Sequence, residues 1–342
     1  MSSRAGLAVR AIRAALVIGA AGLVSPAFGL ECGGARTPVE TAICGDPAVK
    51  EADDAVSAAF ARLRATLPAA DAKALLANQR NWLKTREARC GSPAPNATCL
   101  RDRTVARARV LEGTPEAGPG TRRPLLPLIV DRPGSKSRYA VSVFLFRFPK
   151  PASAAEAALN RRVARIAAEA PTATDDPAAA TIYEWERKAR LAYASDRLLS
   201  IGVDGYEMTG GAHGNSSFGA INLDMTTGRE LTVADLTDEA GRARLAALCD
   251  GQVRTQLRDK LKESGEDPDT PDGKASLAAL EGDAAKGVAE TVGDLSNWTF
   301  GGTGATVTFL PYAVAPYVYG AFSCEIPYAN LRPLAKASFP MP

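Results

Sequence analysis

Residues 139–148 read YAVSVFLFRF, a run that is apolar on both faces of an extended chain. Such a strand is at home only where other layers cover both of its sides. Upstream of it, residues 113–124 (GTPEAGPGTRRP) hold three Gly and three Pro, the composition of a linker whose two Arg keep it solvated. Before that segment the chain follows helical spacing, and after it strands and helices mix without a regular βαβ alternation. The pattern predicts an α+β protein. A three-helix, disulfide-stapled domain (30–112) should be followed by a mixed domain (125–342) with an antiparallel sheet and packed helices.

The helices are placed by caps and apolar faces. Asp46-Pro47 supplies an N-cap and a first-turn proline. Val49, Val56, Phe60, Leu63 and Leu67 then share one face, and Pro68 ends the helix. Asp71 caps a second helix carrying Leu75, Leu76, Gln79, Trp82, Leu83 and Arg86 up to Cys90, and a third starts near Thr98 with Leu100, Thr104, Ala108 and Leu111. In the second half a helix is expected over 152–170, and strands over 181–194, 198–206, 218–224 and 230–233. Helices from about 238 and over 273–292 come next. Strands at 297–300, 305–310 and 323–326 and a short helix over 328–334 close the chain.

The first 29 residues have the form of a secretory leader. Arg4, Arg10 and Arg13 precede an apolar stretch at 14–24, and the small residues Ala27 and Gly29 mark two cleavage points. The apolar stretch is shorter than the ~20 residues of a membrane span. Glu31, rather than a small residue, precedes Cys32, which argues against lipid attachment. The N-x-S/T triplets at Asn96, Asn215 and Asn297 read as chance matches in a bacterial-looking precursor. Behind such a leader, six cysteines suggest disulfides: Cys32, Cys44, Cys90 and Cys99 in the first half, Cys249 and Cys324 in the second. Without the leader's three Arg the net charge falls from +3 to 3 − 3 = 0, leaving no basic excess for nucleic acid.

Two stretches resemble known families. Cys32, the run Glu40-Thr41-Ala42-Ile43-Cys44, and then Gln79, Trp82-Leu83, Arg86, Cys90 and Cys99-Leu100 resemble the N-terminal domain of the lysozyme inhibitor LprI over about residues 32–112. The resemblance implies a small exported helical unit held by cysteines. Gln79, Trp82 and Arg86 lie three and four residues apart, so they share a helix face and read as structural. If the first two helices are antiparallel, Cys44 and Cys90 fall at the same end. That favours Cys44 with Cys90 and Cys32 with Cys99, the other two connectivities staying open.

Residues 138–335 resemble the extracellular domain of RsiV-type anti-sigma factors. The segments that carry this are Thr209-Gly210-Gly211-Ala212-His213-Gly214, Asn222-Leu223-Asp224 with Thr227-Gly228-Arg229-Glu230-Leu231 and Asp235-Leu236, and the run 309–320. This resemblance implies an α+β domain and, in some members, lysozyme recognition. The chain lacks the membrane helix and sigma-binding segment of those factors, so signalling by regulated proteolysis is not expected.

His213 is the only histidine. Its glycine neighbours point to a tight turn that the imidazole fixes by bonding to backbone. One His also counts against a zinc hydrolase, no nucleophile elbow, P-loop or dinucleotide fingerprint is present, and no cofactor is expected. Pro311–Gly320 in sequence reads PYAVAPYVYG, with Tyr312 following Pro311, and Tyr317 and Tyr319 following Pro316. Rigid aromatics with a pre-ordered backbone suit partner contact, together with Gly210 and Gly211, although the same rings could close the end of a sheet. The expected function is an exported, non-enzymatic envelope protein that binds lysozyme or a related muramidase. The second reading is an envelope structural factor or peptidoglycan-modifying enzyme without lysozyme binding.

Overall fold

A computed structural model of the chain describes residues 29–173 and 182–342. The expected leader (1–29), apart from Gly29, lies outside the described residues, as does Thr181 at the start of an expected strand.

Four helices form the first part: α1 (Pro38–Gly45), α2 (Pro47–Thr66), α3 (Ala69–Cys90) and α4 (Ala97–Glu112). The last three are those expected, and α1 adds a fourth. Its start is a capping box, a reciprocal pair of bonds that satisfies donors at a helix N-terminus. Thr37 Oγ1 accepts from the Glu40 N–H at 3.1 Å, and the Glu40 carboxylate accepts from Thr37 N and Arg36 N at 2.9 and 2.7 Å. These backbone donors hold the Glu40 carboxyl below its usual range.

The disulfides correct the favoured pairing. Cys32 bonds Cys44 and Cys90 bonds Cys99, each with Cα atoms 5.6 Å apart. The favoured pairing took Cys44 as the start of a long helix facing Cys90. Instead Cys44 lies in the last turn of α1, which folds back toward the turn at Cys32–Gly34. Cys90 and Cys99 close the short loop between α3 and α4. Val39, Ile43, Val49, Cys90 and Leu100 form a small core at this end, so all four cysteines are close and the local partners win.

The larger sheet has the order β1-β2-β3-β4-β5: β1 (Leu126–Arg132), β2 (Ala140–Arg147), β3 (Glu184–Ala194), β4 (Leu198–Met208) and β5 (Asn215–Asp224). Neighbours are antiparallel except β2 and β3, which run parallel because α5 (Ala154–Ala168) lies in the connection between them. Residues Val141 to Phe146 of β2 are buried without interruption. Helices α3 and α4 cover one side, and α5 packs Leu159 and Val163 into the same core. That core joins Val56, Leu63, Leu75 and Leu111 of the helices to Phe144, Phe146 and Ile201 of the sheet.

The Gly/Pro segment expected as a free linker is laid along β3. β2 pairs with β3 only as far as Lys188, leaving the end of β3 without a neighbour on that side. Glu116 N donates to Leu191 O at 2.8 Å, Ala194 N to Ala117 O at 3.2 Å, and Gly120 N to Ala194 O at 3.0 Å. Gly118 has φ +88° and lies against the Tyr193 ring, a place that a side chain would contest.

The second, smaller sheet is antiparallel: β6 (Trp298–Phe300), β7 (Gly304–Phe309) and β8 (Phe322–Pro327). It packs with α7 (Glu239–Glu263) and α8 (Pro271–Val292) in a core of its own, flanked by the short helices α6 (Val233–Leu236) and α9 (Tyr328–Leu331). The strand expected at 230–233 reduces to a single bridge between Leu223 and Glu230, because Thr232 caps α6 instead. Edge strand β8 is not left open. Gln252 and Gln256 of α7 donate to the Glu325 and Ser323 carbonyls at 2.8 and 2.7 Å and accept from the N–H groups of the same residues at 3.0 and 3.2 Å. Two side chains thus do the work of a strand and block edge-to-edge pairing. The Cys249–Cys324 bridge ties the same helix to the same strand.

A buried polar network joins the sheets. Ser200 Oγ of β4 donates to Asn222 Oδ1 of β5 at 2.7 Å, and Asn222 Nδ2 donates to the carbonyls of Leu295 and Trp298, both at 2.9 Å. Phe300 N donates to Ser200 Oγ at 2.9 Å. Ser200 and Asn222 are 0% and 1% exposed. Replacing Asn222 by Ala strands the Leu295 and Trp298 carbonyls, each buried group costing about 1–3 kcal/mol. Urea denaturation of Asn222→Ala should therefore show a clear loss of stability, whereas Asn215→Ala, at the exposed start of β5, should stay within about 0.5 kcal/mol of the parent.

Candidate functional site

Two of the segments singled out in the sequence meet in space. The Tyr317 ring stacks on His213 with centroids 3.9 Å apart and planes 13° from parallel. Its hydroxyl donates to Gly214 O at 3.1 Å, and His213 Nδ1 lies 3.1 Å from the same carbonyl. Tyr312 stands 5.7 Å from Tyr317, centroid to centroid. Gly210 and Gly211 both have φ near +87°, which lets the 209–214 loop turn back over Tyr183 and Tyr206. Tyr312 is itself left-handed (φ 72°), held by its N–H bond to Ala315 O at 3.0 Å. Ala313 O approaches Gly287 of α8 so closely that no Cβ fits there.

The result is an aromatic ledge. Tyr312 is 68% exposed and Val318 81%, the two most exposed large apolar side chains among the described residues. Pro316 is exposed beside them and Pro311 half-buried, while Tyr319 turns inward onto the second core. So the run 311–320 divides its labour: Tyr319 closes the domain, Tyr317 fastens the two loops, and Tyr312 and Val318 face solvent. The part played by Val318 went unread in the sequence, because exposure of one apolar residue in a mixed run has no periodic signal.

A second cluster lies on the helices. Arg86 donates to Asp53 Oδ1 at 3.0 Å and Thr104 Oγ1 at 3.1 Å, a buried ion pair between α3 and α2. Gln79 accepts from Arg107 Nε at 2.9 Å, and Asn78 accepts from the same guanidinium at 2.8 Å. The Arg86 and Arg107 guanidinium carbons lie 4.9 and 5.6 Å from the Trp82 ring centre. Sequence reasoning placed Gln79, Trp82 and Arg86 on one face and missed Arg107. Its signal was available, since it lies three residues after Thr104 and four before Leu111 on the apolar face of α4.

The 222–235 motif is built into the frame. The Asp224 carboxylate accepts from the N–H and hydroxyl of Thr226 and of Thr227, closing the turn at Gly228. Arg229 donates two bonds to Asp235 at 2.9 and 2.8 Å, and Thr232 N donates to Asp235 at 2.8 Å. Hydrogen bonding from Arg229 and Thr232 holds the Asp235 carboxyl far below its ordinary range. Among the described residues no group of three or more His, Cys, Asp or Glu is placed to hold a metal ion.

Residues 32–111, which span α1 to α4 except the final residue of that helix, match the family described as "Lysozyme inhibitor LprI". Residues 234–329, which hold α7, α8 and the smaller sheet, match a family described as "Protein of unknown function (DUF3298)". Among curated proteins none matches the chain. Solved structures similar to it include two DUF3298 family members. A DUF3298 family member from Bacteroides fragilis is 15% identical, covers 63% of this chain and 94% of its own, and gives a TM-score of 0.43. A DUF3298 family protein from Pseudomonas aeruginosa is 18% identical, with 64% and 97% covered and a TM-score of 0.41.

The depressed Asp235 carboxyl has a pH consequence. A group whose folded pKa is lowered stabilises above its unfolded value near 3.8, and that stability is lost as pH falls. Asp235→Asn should lower stability at pH 7 by about 1 kcal/mol, the usual worth of a helix-start cap. Thermal denaturation should show the gap between variant and parent closing below pH 4.

Proposed function

We propose that this chain is an exported envelope protein that binds and inhibits lysozyme or a related peptidoglycan-cleaving enzyme, and catalyses no reaction of its own. The match of residues 32–111 to the lysozyme inhibitor family carries this reading. The resemblance of residues 138–335 to the extracellular domain of RsiV-type anti-sigma factors supports it from the other half. Three disulfides suit an oxidising compartment, and no described helix is long and apolar enough to cross a membrane.

The contacts can be assigned on physical grounds. Helices α1 to α4 present the inhibitor-like surface, and the ledge offers Tyr312 and Val318 as apolar anchors on a backbone already fixed by Tyr317, His213 and the loop glycines. Pre-ordering of this kind lowers the entropy lost on binding. Without its leader the chain is formally neutral, so it supplies little long-range steering toward a basic lysozyme. Affinity would rest on slow dissociation and depend weakly on salt.

The test is inhibition of cell-wall lysis by a c-type lysozyme, using the chain from residue 30 onward. Micromolar protein should slow lysis and retain the enzyme in a pull-down. Tyr312→Ala with Val318→Ser should weaken binding about 10- to 30-fold, as removal of interface anchors does. No retention and no slowing at micromolar concentration would defeat the reading.

A further inference from the structure

Helices α3 and α4 do not lie flat on the sheet along their whole length. A crevice runs between them and strands β2 to β4, with a central compartment of about 550 Å³. It shares Ala106 and Val110 with a neighbouring compartment of about 450 Å³, and Asn81 and Ser142 with another of about 490 Å³.

The helical wall of the central compartment carries uncompensated positive charge. Arg107 is 7% exposed, with its guanidinium carbon 5.3 Å from the Phe144 ring centre. Its hydrogen-bond partners are two neutral amides, Gln79 and Asn78. Burial alone pulls its pKa down to about 10, no carboxylate acting on it. The other buried guanidinium among the described residues, Arg86, has Asp53 for a counter-ion. Arg89 and Arg103 stand exposed on the same wall, and neither forms an ion pair among the described residues. On the floor, Lys188 neutralises Glu186, and desolvation raises the Asp204 carboxyl. Four cations against two carboxylates leave this compartment at 4 − 2 = +2.

Its other surfaces are an aromatic ring and neutral hydrogen-bonding groups. Trp82 is half-buried at the wall, and Asn81, Thr85 and Ser142 line the passage toward the neighbouring compartment. Stranded guanidinium groups call for a carboxylate, an aromatic face for an apolar ring face, and the amides and hydroxyls for a hydroxylated ligand. We infer that the central compartment binds a carboxylate-bearing sugar, its acid group on Arg107, Arg89 and Arg103 and its ring on Trp82. Adjacent compartments that share its lining leave room for further rings of an oligomer. The site lies under helices that the proposed function also uses, but its ligand is a sugar and its titration needs no enzyme.

The probes are N-acetylmuramic acid and N-acetylglucosamine, which differ by the carboxylate-bearing lactyl group, titrated into the chain from residue 30 onward. Calorimetry gives the affinity. Tryptophan fluorescence reports on Trp82, since Trp185 and Trp298 are only 4% and 0% exposed. N-acetylmuramic acid should bind saturably and at least tenfold more tightly than N-acetylglucosamine. Arg89→Gln with Arg103→Gln, both exposed and unpaired and so harmless to the fold, should weaken it at least tenfold, and Arg107→Gln should abolish it. Equal affinity for the two sugars, no saturable binding, or unchanged binding in the exposed double variant would each overturn the proposal. Tyr312→Ala with Val318→Ser, on the ledge and outside this lining, should leave sugar binding unchanged while it weakens retention of lysozyme, which keeps the two readings separable.

Discussion

Strand β2 has no face to give to water. Its residues from Val141 to Phe146 are buried in unbroken succession, so the sheet cannot stand without a layer on each side. α5 supplies one layer, and because it lies between β2 and β3 in the chain it also makes that pair parallel. The other layer has to come from α3 and α4, which are far too polar around their circumference to carry a core by themselves. Phe144 and Phe146 complete it for them. The helical unit is therefore docked on the sheet through a common core rather than tethered to it.

That docking sets the rest. Helices can meet a twisted sheet closely only over part of their length, and the remaining gap is the crevice. Arg107 sits where the two layers part: its guanidinium lies against a ring of each, Trp82 and Phe144, and bonds to amides instead of a carboxylate. At the far side the frame is closed by polar groups. Ser200 and Asn222 stitch the larger sheet to the smaller, and Gln252 and Gln256 close the edge that the smaller sheet would otherwise expose. These bonds fix the position of the loops that form the aromatic ledge.

Much of this was legible in the residues. Caps and apolar faces placed α2, α3 and α4, and strands β2 to β8 fell close to their expected places, whereas β1 was not singled out. What stayed hidden was mostly pairwise or non-local. α1 was signalled only by the four-residue cap from Thr37 to Glu40, and missing it misled the cysteine pairing. The Gly/Pro segment 113–124 had a linker's composition, yet a sheet edge short of a partner captured it, a demand that no local pattern records. For the site, the sequence singled out His213, Tyr317, Gly210 and Gly211 separately. Their meeting across about a hundred residues is a product of the fold. Arg107 was readable as a cation on an apolar face, but the crevice beside it was not.

The functional account holds that inhibitor-like helices and a pre-ordered aromatic ledge together engage a lysozyme-type enzyme. Amide hydrogen exchange of the full mature chain, with and without a c-type lysozyme, tests it most directly. The account predicts added protection concentrated in residues 32–111 and 311–320, with the sheet strands unchanged. Identical exchange with and without saturating enzyme, or protection confined to other segments, would contradict it.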